Sequence, residues 1–527
     1  MSLETSQPDT GRASDAPLVH HSPLGEMLMI AAPVVVTMTS YTVMQFVDGF
    51  MVSKIGPEPV YLAAQGNGGM MVWLLMSGLL GLTTVINTYV SQHLGAGTPE
   101  RAPAYAWAGL WIGAAGGLLA LPLIFALPWV ASLMGHDPTL QRLETGYASI
   151  LLTGIFFTLG ARAIAHYFYG MHVPTIVMVS VLLANVVNIG ANYVLIFGHF
   201  GFPALGVRGA ALGTVIGSSV ELAIPVIVFL SAGWNRKYAT RSAWRLRWSP
   251  IKDILRIGWP GGAMFANEMF CWGYLMAVLL GLGGAAALKA AEPGASDERI
   301  AHAAQLSNSV GWIALRYMHV SFMPTVGLSI ATTAIVGRCT GMGRPDLAAR
   351  RAWLGLAIGM AYMGLCAVAF VLFRRPMLSL FIERDTPPEV VEEMLRIGSL
   401  VMIGAAVFQV FDAIAIIISG ALRGAGDTVW PGVATIVLSW ACIIGGGHVL
   451  ILAAPQLGSI GPWIGASAYI ILLGLAVLAR FLGGTWRSIE LIKHRDVRGL
   501  SDGTITLEAE PLAIPADAVA GTTPGSA

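Results

Sequence analysis

Apolar residues gather along this chain into twelve stretches, parted by short polar breaks. They run over 27–53, 61–92, 105–133, 146–170, 174–198, 206–231, 254–283, 306–336, 352–373, 396–420, 428–453 and 460–483. A helix rises about 1.5 Å per residue, so about 20 apolar residues cross the roughly 30 Å of hydrocarbon in a bilayer. Backbone in lipid must satisfy its own hydrogen bonds, and none of the stretches alternates polar with apolar as a barrel strand does. The pattern predicts an all-α membrane protein of twelve transmembrane helices.

The stretches also repeat. Val90 to Gly113 aligns without a gap on Val336 to Gly359, pairing Gly95 with Gly341, Gly97 with Gly343, Pro99 with Pro345 and Trp107 with Trp353. Apolar bias alone would not reproduce loop glycines, a proline and a tryptophan together. Pro33 and Gly56 pair with Pro260 and Gly283 at a smaller offset, which predicts an inserted loop around Lys289 to Ala304. Six spans per copy is an even number, so both copies keep one orientation: two parallel six-helix bundles around a central cleft. The expected division is a tail over 1–26, a first repeat over 27–232, a basic linker over 233–253, a second repeat over 254–485 and a partly disordered tail over 486–527.

Composition agrees. The chain is 55% hydrophobic and 11% charged, against about 25% charged in soluble domains. Basic residues concentrate in the linker, at Arg236, Lys237, Arg241, Arg245, Arg247, Lys252 and Arg256. By the positive-inside rule this places both termini in the cytoplasm. The basic run reads as a topology signal beside anionic lipid, not as a nucleic-acid site. Cys271, Cys339, Cys366 and Cys442 stand singly, without disulfide or metal-ligand spacing. Gly109, Gly113 and Gly117, and again Gly355 and Gly359, form GxxxG steps suited to close helix packing.

Against this background four acids stand out inside apolar spans: Asp48, Glu221, Glu268 and Asp412. An acid at the centre of a membrane helix costs about 2.5–3.5 kcal/mol on insertion scales, so such groups face a protein-lined cavity and handle a cation or a proton. Glu268 and Asp412 fall at similar depth on two helices of the second repeat, where they can share a proton or hold a monovalent cation. Asp48 lies in the first span; Asn188, Asn192 and Thr214 can complete an oxygen cage around it, the two asparagines being four apart on one helix face. Such oxygen ligands suit Na⁺ or a protonation switch, not a transition metal. Helix-to-helix hydrogen bonding is the competing reading of the asparagines. Arg162 with His166, and Arg316 with His319, are expected to be buried partners of the acids; the other reading is a cleft for an anionic or zwitterionic substrate. Glu221 receives no role. No nucleophile–base set or metal cluster argues for an enzyme, and no cofactor is expected.

The chain resembles the MATE (multidrug and toxic compound extrusion) family, in its bacterial NorM-like branch. The resemblance rests on Val47-Asp48-Gly49, Gln92-His93-Leu94-Gly95-Ala96-Gly97, Asn188 and Asn192 through Gly198, Gly206-Val207-Arg208-Gly209, Pro260 with Glu268, and Asp412 with Gly420 to Gly424. It covers about residues 24–485. It implies a monomeric antiporter of the bacterial inner membrane, in which entry of Na⁺ or H⁺ drives export of amphipathic, mostly cationic drugs and dyes. It also implies coupling roles for Asp48, Glu268 and Asp412. Where some relatives carry a second acid in the first-half site, this chain has Asn192. A lipid-linked saccharide flippase and a passive channel are the alternative functions.

Overall fold

The computed structural model describes residues 22–56, 60–133, 136–382 and 387–492. Long apolar helices account for nearly all of them. In chain order they are α1 (Pro23–Val52), α2 (Val60–Gly95), α3 (Pro99–Phe125), α4 (Pro138–Thr153 and Ile155–Gly170), α5 (Pro174–Phe197) and α6 (Val207–Phe229). The second half holds α7 (Trp248–Ala291), α8 (Asp297–Gly341), α9 (Pro345–Leu372), α10 (Pro388–Ala425), α11 (Val429–Ala453) and α12 (Ile460–Leu482). Eleven are long and apolar enough to span a membrane outright, and α4 makes the twelfth as a pair bent by 50°. The bend falls at Gly154, where Val215 of α6 fills the space a side chain would take, a usual cause of a kink.

Two differences from the sequence reading concern edges. The loop expected around Lys289 to Ala304 is mostly helix, since α7 runs to Ala291 and α8 starts at Asp297. Ser296 caps α8 through the Arg299 amide, Asp297 and Glu298 complement its dipole, and Arg299 pairs with Glu292 across the short turn. Similarly, α4 begins at Pro138 rather than 146. The tail residues expected to be disordered lie outside the described ones.

The duplication is visible in backbone geometry. Gly97 and Gly343 both take positive φ (73° and 69°) after α2 and α8. Each is followed by the same six-to-one hydrogen bond, Thr98 N–H to His93 O at 2.9 Å and Arg344 N–H to Cys339 O at 3.0 Å. Trp107 meets Phe229 edge-on in the first lobe (α1–α6), as Trp353 meets Phe481 in the second (α7–α12). The first helix of each repeat leans on the other lobe. Met27, Ile30 and Ala31 of α1 join the second lobe's core, while Ile251 and Ile254 of α7 join the first lobe's. Paired struts fix these crossings: Arg351 to Glu26 at 2.8 Å, and Tyr105 Oη donating to Asp253 Oδ2 at 3.1 Å.

The lobes are sewn together at the end where α2, α8 and α10 finish. Asn87 donates to Ile330 O (3.1 Å), Thr88 to Arg423 O (2.9 Å) and Gln92 to Gly424 O (3.0 Å). His172 Nε2–H donates to Ala334 O at 3.1 Å. Glycine permits this approach: a Cβ on Gly95 would sit 2.0 Å from Arg338 O, and one on Gly341 2.1 Å from Gln92 O. Deeper in, Gly78 and Gly81 of α2 lie against Gly261 and Gly262 of α7.

Candidate functional site

The four acids read from the sequence fall into three groups. In the second lobe, Glu268 of α7 accepts a hydrogen bond from Tyr469 Oη of α12 at 2.9 Å. Asp412 of α10 stands within electrostatic reach of both Glu268 and Tyr469. Its carboxyl accepts no hydrogen bond from any described residue, and it is only partly buried. The structure thus brings together the pair expected there and adds Tyr469, a residue that an apolar helix hid. Arg423, one end of the α10 motif, adds a positive charge within reach of Glu268.

Local geometry explains how α7 delivers Glu268. The neighbouring Asn267 donates to Ser439 Oγ and accepts from Trp440 Nε1, both at 2.8 Å, which pins α7 to α11. Both helices widen into π-type turns close by, at Leu275–Leu279 and Ser439–Gly446. Such turns re-aim side chains and recur at functional sites.

In the first lobe, Asn192 of α5 donates to Asp48 Oδ1 of α1 at 2.7 Å and to Asn188 Oδ1 at 3.0 Å. Asn192 is wholly buried, and its own Oδ1 has no partner among the described residues. Gly213 of α6 makes room for that oxygen, since a Cβ there would lie 1.9 Å from it. The structure therefore brings Asp48, Asn188 and Asn192 together. The Thr214 hydroxyl donates to Ala210 O of its own helix at 3.0 Å and touches this group through Tyr147. Tyr147 of α4 joins them, its hydroxyl beside Gln65 and Thr214 and in the field of Asp48. One turn away, Glu144 is fully buried against His136 and Asn67. It escaped the sequence reading because it precedes the span predicted over 146–170.

The third group corrects the reading of the basic residues. Arg162 of α4 does pair with an acid, at 3.8 Å, but with Glu221 of α6, the one left without a role. Tyr41 of α1 completes it, donating to Glu221 Oε1 at 2.6 Å while its ring carries the Arg162 guanidinium at 3.9 Å from the centroid. His166 meets no acid; its Nδ1 is buried without a partner. Arg316 stacks on Phe381 and His319 lies beside Phe322, so neither is an acid's counter-ion.

Chemically, the first two groups are oxygen-rich, with the Cys271 thiol also near Glu268, and place carboxylates where a small monovalent cation or a proton can be taken up. Among the described residues, no three His, Cys, Asp or Glu side chains gather as metal ligands.

The chain is similar in sequence and fold to known transporters. The chain is 28% identical to the "Probable multidrug resistance protein NorM" of Mesorhizobium japonicum over 468 residues, covering 87% of this chain and 92% of the relative. Its likeness to the protein of the same name from Synechococcus is 29% over 475 residues, 87% and 94% of the two chains. In fold it is similar to a MOP superfamily transporter from Pyrococcus furiosus, with TM-score 0.75, 19% identity and coverage of 89% and 98%. It is equally similar to the eukaryotic MATE transporter AtDTX14, with TM-score 0.74, 17% identity and coverage of 91% and 98%. The MatE family model matches residues 33–194 and 300–445, more than half of the sequence and parts of both lobes. With its acids, its duplicated bundles and these matches, the chain belongs to the MatE family.

Proposed function

We propose that this protein is a secondary active multidrug efflux antiporter of a bacterial inner membrane, with both termini in the cytoplasm. It exports amphipathic, mostly cationic compounds and takes up Na⁺ or H⁺ in exchange. The observation that carries this reading is the pairing of Glu268 with a partnerless Asp412 on a second helix of the same lobe. Two carboxylates within electrostatic reach of each other in a low-dielectric setting favour a proton or cation between them. Ion uptake there is therefore coupled to whatever alters the space around Asp412. The sewn end of the lobes carries the basic linker's side of the protein. With that end shut toward the cytoplasm, the arrangement is the one in which coupling ions enter and the exported compound leaves from the opposite face.

Energetics set the scale. One elementary charge crossing 100 mV supplies about 2.3 kcal/mol, enough for a gradient of roughly 40-fold in a neutral compound. Exchanging one cation for one cationic drug moves no net charge, so the Asp48 and Glu268/Asp412 centres together allow a second ion per cycle. The test is efflux of a fluorescent organic cation from everted vesicles under separately imposed Na⁺ and pH gradients. Uphill movement driven by one of these gradients, and lost in Glu268→Gln and Asp412→Asn, is the expected result. Passive equilibration under both gradients would refute antiport.

A further inference from the structure

The Arg162, Glu221 and Tyr41 group takes no part in the coupling scheme, yet its geometry is unlike that of a structural ion pair. The nearest Arg162 nitrogen is 3.8 Å from Glu221, well beyond the roughly 2.7–2.9 Å of a charge-assisted hydrogen bond. Glu221 is held by the Tyr41 hydroxyl at 2.6 Å instead. Arg162 lies over the Tyr41 ring and hydrogen-bonds to the Tyr41 side chain, while its fork makes no hydrogen bond to a carboxylate among the described residues. A guanidinium has five N–H donors, and leaving most of them idle inside a membrane protein is costly.

Part of the Arg162 side chain reaches open space. The Arg162 side chain is 24% exposed, whereas every other residue from Leu159 to Gly170 is buried. Protein surrounds this half of α4, so the opening is internal and not toward lipid. It also lies at the junction of the lobes. Met323, Val326 and Ile330 of α8 pack against the first-lobe core that holds Met38, Ile164 and Leu222, with Tyr41 at its margin. His166, one turn further along α4, has a buried and unpartnered Nδ1 and stands within reach of Arg423 of the second lobe.

Glu221 neutralises Arg162 at a distance and so lowers the cost of keeping a cation there, without occupying its fork. We propose that Arg162, braced by Tyr41 and Glu221, docks a carboxylate of the transported compound, so that the cleft selects amphiphiles bearing a carboxylate as well as a positive charge. A carboxylate matches the planar fork in bidentate fashion, and the Glu221–Arg162–carboxylate row then carries net charge −1 beside His166 and Arg423. This inference rests on the export reading for the word transported, but not for the site itself.

The experiment measures binding of two probes to the full-length protein in detergent: a cationic xanthene dye with a free benzoate, and its methyl ester. The wild type should bind the acid about tenfold or more tightly than the ester, as one well-made charged hydrogen-bond pair allows. Arg162→Lys keeps the charge and loses the fork, and should remove most of that preference. The double variant Arg162→Gln with Glu221→Gln leaves no unpaired charge and should abolish it, with its thermal melting recorded alongside to verify folding. Equal binding of acid and ester by the wild type overturns the proposal without recourse to any variant. A preference that survives in the folded double variant overturns it too. Ion-driven efflux of the ester by the wild type is scored separately: its absence would count against the antiport reading and leave the binding ratio intact.

Discussion

In the first lobe a lone carboxylate, Asp48, is held by the neutral amide of Asn192 at 2.7 Å. In the second lobe Glu268 accepts from Tyr469 and has another carboxylate, Asp412, for a neighbour. The lobes otherwise share their capping turns, their aromatic pairs and their crossing struts. Duplication preserved the frame and let the centres diverge. The first centre has one carboxyl with its hydrogen bonds largely met. The second has two carboxyls, one of them without a hydrogen bond among the described residues, so the larger response to an ion is expected there.

Neutralising either acid of the second lobe, by Glu268→Gln or Asp412→Asn, should therefore have the largest effect. Uphill export should fall to equilibration, a loss of about tenfold or more in the gradient sustained, read by dye efflux from everted vesicles. Equal losses from Asp48→Asn would break the contrast between the lobes. The expected outcome for Asp48→Asn is a severalfold slower cycle that still pumps, because an amide at 48 still engages Asn192. Next in size is Gly95→Val, which forces side-chain atoms against Arg338 O across the seam. Labelling of single cysteines placed below the seam should rise severalfold while transport falls, since overpacking of this kind costs about 1–3 kcal/mol.

Tyr469→Phe removes the one hydrogen bond to the Glu268 carboxyl among the described residues. A bond to a charged group contributes about 1.5–3 kcal/mol, so the half-saturating concentration of the coupling ion should shift by about tenfold while the maximal rate holds. The smallest effect separates two equivalent positions. Trp107 Nε1 donates to Thr240 O of the linker at 2.9 Å, whereas Trp353 Nε1 donates to no described residue. Trp107→Phe should lose about 1 kcal/mol more than Trp353→Phe, visible as a melting temperature lower by a few degrees.

Span length and isolated charge were the legible features. The twelve spans follow from apolar run length, and the duplication from matched loop glycines, a proline and a tryptophan. The groupings Glu268/Asp412 and Asp48/Asn192 follow from costly buried acids and from polar residues that share a depth or a helix face. What escaped notice needs contacts between distant helices. Tyr469 reads as one more aromatic in an apolar run until α12 is laid beside α7. Arg162 and Glu221 are 59 residues apart on helices whose facing is set only by packing, and Tyr41 joins them from a third. Glu144 was lost to a span edge set too late, and the turn between α7 and α8 to capping residues mistaken for a loop.

The seam at the ends of α2, α8 and α10 has a further consequence. Its donors are the amides and hydroxyls of Asn87, Thr88 and Gln92, and its acceptors are main-chain carbonyls. Its one imidazole, His172, is pushed down to about 4 by burial and by the charge of Arg338, so it stays neutral across ordinary cellular pH. Nothing in this fastening changes protonation during turnover. On this reading the latch is mute to ions, and any force that opens it has to come from elsewhere in the fold.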